Sequence, residues 1–104
     1  MLVTYPRVFP VDAANCSELA LSAEDTAYLA IMGQRLEDTF VNAAARNQVM
    51  IADPYVHAEG HGPCAPNERW VNGANVADTG IRYHPTAEGH DEMARLVLVA
   101  LWRN

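Results

Sequence analysis

All four histidines of the chain, His57, His61, His84 and His90, fall between residues 57 and 90, and imidazole readily ligates metals or moves protons near neutral pH. Zinc chemistry fits the spacing poorly. The helical motif H-E-x-x-H is absent: in "HAEGH", residues 57 to 61, the glutamate stands in the wrong place, and Gly60 disfavours a helix with both histidines on one face. Cys16 and Cys64 are too far apart for a paired zinc knuckle, so neither a metal nor another cofactor is expected. A second "AEGH", at residues 87 to 90, has unmatched flanks and reads as chance. His57 and His61 read as loop residues, and His90 as a packing or solvated residue in the first turns of a helix.

His84 stands in a different setting. It ends a long loop and immediately precedes Pro85, which opens a helical pattern, so a rigid element would hold its ring at the rim of a sheet. A general base needs that placement, with one ring nitrogen towards a nucleophile and the other donating to an acceptor that fixes the tautomer. The chain offers only two serines. Ser17 follows Cys16 in "NCSEL", and Ser22 is better explained as a helix cap. Neither sits in G-x-S-x-G or G-D-S, and neither has the neighbouring glycine that permits a nucleophile's sharp turn.

The elements that must position these residues follow from periodicity. "MLVTY", residues 1 to 5, is apolar and β-branched and is stopped by Pro6, which predicts a buried strand beginning at the first residue. Residues 6 to 21 read as a loop, closed by Ser22 capping a long helix with Asp25 in its first turn. In that helix Tyr28, Ile31, Met32, Leu36, Phe40, Val41 and Ala44 form the expected core stripe, with Glu24, Arg35, Glu37, Asp38 and Arg46 on much of the other side. "QVMIAD", residues 48 to 53, suits a parallel strand buried on both faces, giving a strand, helix, strand unit. Residues 54 to 83 are rich in Gly, Pro, Asn and Asp, a loop long enough to be a functional surface. "PTAEGHDEMARLVLVALW" is the expected closing helix, with Pro85 in its first turn and Met93, Leu96, Val97, Ala100 and Leu101 on its buried face. Trp70 is expected to pack against the loop.

Bulk properties bound the function. A chain of 104 residues makes a single α/β domain, 1–104, burying roughly two thirds of its unfolded surface. Half its residues are hydrophobic and 19% charged, a globular composition. The net charge is -6 and the seven arginines are scattered singly, which argues against nucleic acid and anionic membranes as partners. No run approaches a transmembrane span, and "MLVTYPRVFP" lacks the layout of a signal peptide. Cys16 and Cys64 both lie among turn formers; a disulfide joining them would contribute roughly 3 to 4 kcal/mol on the loop-entropy model and would imply an oxidising compartment. Two unpaired loop thiols are the alternative.

In order and spacing, "VTYPRVF", a cysteine, a long helix, "VMIAD", "GHGPC", "RWV" and "HPTAEGH..MA" resemble the C-terminal half of the SGNH or GDSL hydrolases, particularly the secreted actinobacterial lipases and esterases. The resemblance covers nearly the whole chain. It implies part of a flavodoxin-like three-layer α/β sandwich with parallel strands, lacking its N-terminal half. It also implies extracellular secretion, a Cys16–Cys64 disulfide, and cleavage of small-molecule or lipid esters with His84 as the base. Members commonly place an aspartate three residues before the histidine; here that position is Ile81, whose backbone carbonyl becomes the expected orienting acceptor, with Asp78 as a weaker candidate. The family's G-D-S block and its oxyanion-hole glycine and asparagine are missing, and each absent donor removes roughly 3 to 4 kcal/mol of transition-state stabilisation. The chain is therefore expected to supply a base to a serine on an upstream segment and to be inactive alone, with exposed faces prone to self-association. A non-catalytic remnant serving as a structural or interaction module is the alternative, and a small metal-binding protein a third.

Overall fold

The computed structural model describes residues 1–104 except 12–15, 77–79 and 104. Its sheet is a single parallel pair, β1 (Leu2–Val3) beside β2 (Ile51–Ala52), in the register Leu2 to Ile51 and Val3 to Ala52. Between them runs α1 (Ala23–Asn47), and after them come α2 (Pro54–His57) and α3 (Ala87–Trp102). The strand, helix, strand unit of the sequence is present, but each strand is reduced to two residues. The α/β class and the parallel pairing are evident. About half the chain is helical, so the helices and the loops between them carry most of the packing.

Local chemistry accounts for the helix ends. Ser22 Oγ accepts the Asp25 N–H at 3.0 Å, Glu24 and Asp25 sit at the positive end of α1, and Arg46 lies in its last turn. Gln48 ends the helix in the left-handed region (φ 52°), its N–H reaching the carbonyls of Ala44 and Ala45. At 25 residues α1 is about 37 Å long, which sets the 41 Å long axis of the molecule. The closing helix begins two residues later than its sequence suggests. Thr86 caps it, accepting the Gly89 N–H at 3.0 Å, while Pro85 stays outside and pairs with Val71 in an antiparallel bridge.

The face that α1 buries differs from the expected stripe. Tyr28 is 61% exposed and Ile31, Leu36 and Val41 are also exposed, whereas Thr26, Ala30, Ala44 and Glu37 are buried. With Gly33, where a Cβ would just touch the Tyr55 ring, these form a stripe of mostly small residues at helical spacing. Small side chains let the helix axis approach the strands, and the bulky apolar residues are turned aside. The largest fully buried side chains likewise lie outside α1 and α3: Leu19, Val71, Thr4, Pro6, Pro54 and Pro63.

Two polar features hold this core. Thr4 at the end of β1 donates to Asp53 Oδ1 at 3.0 Å and accepts the Tyr55 N–H at 3.1 Å, tying the strand to the start of α2. Glu37 lies beside this pair, 4% exposed, with no hydrogen-bond partner for either carboxylate oxygen. Burial first, and then the charge of Asp53, pushes its pKa up to about 7. An acid raised in this way gives stability that is fully present below its unfolded pKa and is lost as pH rises through the folded value. Glu37→Gln removes the titration while keeping the shape. It is expected to melt about 5 °C or more above the wild type near pH 8.5 and to match it below about pH 4, followed by circular dichroism.

Cys16 and Cys64 form a disulfide with their Cα atoms 5.7 Å apart. It joins the 3₁₀ turn Ser17–Leu19 to the loop after α2. The Cys16→Ser/Cys64→Ser double variant is expected to lose roughly 3 to 4 kcal/mol of unfolding free energy, measured by urea titration.

Candidate functional site

The long loop expected between residues 54 and 83 is built rather than slack. Asp53 caps α2 through the Val56 N–H at 3.2 Å, with Pro54 in the first helical position. Further on, the Trp70 N–H donates to the His61 carbonyl at 2.7 Å and its carbonyl accepts the Thr86 N–H at 2.9 Å. The Asn72 N–H reaches the His84 carbonyl at 2.9 Å, and the Ala74 N–H reaches the Glu18 carbonyl at 2.7 Å. The segment from Arg69 to Ala74 thus lies between the 3₁₀ turn on one side and residues 81 to 86 on the other.

His84 sits on this frame, exposed, two residues before the cap of α3. Its Nδ1 lies 2.8 Å from the Arg82 carbonyl. A carbonyl only accepts, so Nδ1 carries the proton and Nε2 presents a lone pair. The Ile81 carbonyl, the acceptor expected from the sequence, is occupied otherwise: it takes the His84 backbone N–H at 3.2 Å and the Asn72 side-chain amide at 3.2 Å. The residues between fold into a turn that brings the Arg82 carbonyl, one position later, under the ring. Asp78 lies outside the described residues.

The other histidines are dispersed. His57 Nδ1 is held by the Asp53 carbonyl and His61 Nδ1 by the Glu68 carbonyl, each at 2.9 Å, so a carbonyl tether is not peculiar to His84. His61 also stacks on Trp70, with ring centroids 4.1 Å apart and planes 6° from parallel. His90 is exposed on α3. Among the described residues no three His, Cys, Asp or Glu side chains converge as a metal site would require.

The backbone beside His84 is constrained as well, as it is at Glu68 (φ 50°), whose carbonyl holds His61. Tyr83 has φ 58°, a left-handed conformation that costs a residue with a Cβ about 1 to 3 kcal/mol and that persists only where the surroundings enforce it. Neither serine hydroxyl is hydrogen-bonded to the His84 ring: Ser22 is engaged as the cap of α1, and Ser17 opens the 3₁₀ turn. The geometry supports proton acceptance at Nε2. Sequence reasoning missed the Arg82 carbonyl and Asn72, because a carbonyl's direction leaves no mark in residue type.

No family model matches this chain, and no curated protein matches its sequence. No helix among the described residues is long and apolar enough to cross a membrane. This and the Cys16–Cys64 disulfide are compatible with an extracellular location.

Gly89 gives a direct test of how the site is held. It lies in α3, where alanine is ordinarily the better helix former. A Cβ here, however, would overlap the Trp70 carbonyl, the atom that accepts the Thr86 N–H. Gly89→Ala is therefore expected to destabilise the chain, by about 1 to 3 kcal/mol in chemical denaturation, reversing the sign of the helix propensity.

Proposed function

We propose that this chain is the C-terminal part of a secreted SGNH-type carboxylic-ester hydrolase, supplying His84 as the general base to a serine carried on a segment outside it. The observation that carries the reading is the placement of His84: it stands exposed just before the cap of α3, with Nδ1 tied to the Arg82 carbonyl and no partner on Nε2 among the described residues. In the assembled enzyme Nε2 takes the proton of the serine hydroxyl as it attacks the ester carbonyl. It then returns that proton to the leaving alcohol, and in the second half-reaction it activates water against the acyl-enzyme. The Arg82 carbonyl keeps the tautomer but, being neutral, offers the imidazolium less than a carboxylate would.

The exposed apolar side chains of α1, among them Tyr28, Ile31, Leu36 and Val41, support the same reading. In a three-layer flavodoxin-like sandwich the missing strands and helices would cover such surface, and without them the chain would self-associate. The substrate is a small-molecule or lipid ester, and no cofactor is required.

The test is hydrolysis of a short p-nitrophenyl ester by the purified chain and by His84→Ala, with free imidazole as background. Neither is expected to exceed that background. Adding a segment that carries a G-D-S block is expected to give activity with the unmutated chain, falling about 10²- to 10⁴-fold with His84→Ala. Hydrolysis by the chain alone, lost in His84→Ala, would place the nucleophile within these 104 residues and overturn the reading.

A further inference from the structure

The residue before His84 is held at three points, one of them its carbonyl, which accepts the Tyr5 hydroxyl at 3.3 Å. Tyr83 takes the left-handed conformation (φ 58°), and its N–H reaches the Gly73 carbonyl at 3.4 Å. Its phenol donates to the Leu19 carbonyl at 2.6 Å, 64 residues away in sequence. Leu19 is fully buried at the end of the 3₁₀ turn, and that turn is anchored on every side. Cys16 ties it to Cys64, the Glu18 carbonyl accepts the Ala74 N–H, and the Glu18 carboxylate meets Arg69 Nη1 at 3.4 Å. The phenol therefore reaches from an unfavourable backbone position to one of the most firmly fixed carbonyls in the molecule.

We propose that Tyr83 is the positioning residue of His84: its hydrogen bond to Leu19 holds residue 83 left-handed and so directs Nδ1 of His84 onto the Arg82 carbonyl. Without that bond residue 83 relaxes to negative φ, the turn opens, and the ring loses the acceptor that selects the Nδ1–H tautomer. Nε2 then carries the proton for much of the time and is no longer a base. The consequence for catalysis rests on the ester-hydrolase reading, whereas the tautomer does not.

The tautomer is read from long-range ¹H–¹⁵N spectra of the full chain labelled at histidine nitrogen, with His84 assigned by its loss in His84→Ala. In Tyr83→Phe, which removes one hydroxyl, His84 is expected to lose its predominance of Nδ1–H while His57 and His61 keep theirs on Asp53 and Glu68. A folded Tyr83→Phe chain whose His84 keeps Nδ1–H would overturn the proposal, and so would an equal change at all three rings, the mark of general loosening. Should the variant not fold, the unmutated chain is warmed below its melting transition while the Tyr83 hydroxyl proton is followed. His84 is expected to lose its tautomer as that resonance exchanges away, and retention of Nδ1–H after its loss would refute the idea.

Discussion

The His84 end of the molecule depends on one backbone contact, the Trp70 carbonyl accepting the Thr86 N–H. It fixes where α3 begins, because Thr86 is the cap and its hydroxyl both donates to the Arg69 carbonyl at 2.7 Å and accepts the Gly89 N–H. Only glycine at position 89 allows the helix to come this close. From this contact the pairing runs outward to Asn72 and His84, and then through Ala74 and Glu18 to the 3₁₀ turn and the disulfide. A loop with little regular structure is made specific by satisfying its backbone groups one by one.

Glu37 shows a different balance. A carboxyl placed without partners beside Asp53 in a closely packed helix face works against the fold whenever it is ionised. Thr4 offsets this only in part, since its hydroxyl is committed to Asp53 and its oxygen to the Tyr55 N–H. Arg7 does not relieve it: its guanidinium lies over the Tyr55 ring, 4.6 Å from the centroid, and its Nη1 is 3.9 Å from Glu59. The polar groups at the crossover of β1, α1 and α2 are thus allotted to holding the backbone, and the charge of Glu37 is left mostly uncompensated.

Much of this was legible in the residues themselves. The strand, helix, strand order, the Ser22 cap and the closing helix follow from local patterns that tertiary contacts do not overrule. The buried face of α1 was read only in part: Ala44 belongs to the expected stripe, but bulky apolar residues dominate such a stripe, while the close approach to the strands selects Thr26, Ala30 and Gly33 for their smallness. The ladder ends with the Thr4 N–H on the Ala52 carbonyl, because the next residue of the second strand, Asp53, already caps α2. The place of His84 before Pro85 is visible in the sequence. The carbonyl that its ring meets is not, because the choice between the Ile81 and Arg82 carbonyls is made by the turn around Tyr83 and not by any side chain at those positions.

The central claim is that the frame holds His84 as a base-competent imidazole, protonated on Nδ1 and open on Nε2. The most direct measurement is the ¹⁵N chemical shift of both ring nitrogens of His84 in the unmodified chain, above the pH at which the ring becomes neutral. The account predicts a protonated-type shift for Nδ1 and a bare-nitrogen shift for Nε2. The reverse pattern, with the proton on Nε2, would mean that the Arg82 carbonyl does not hold the ring and that His84 is not poised to take a proton.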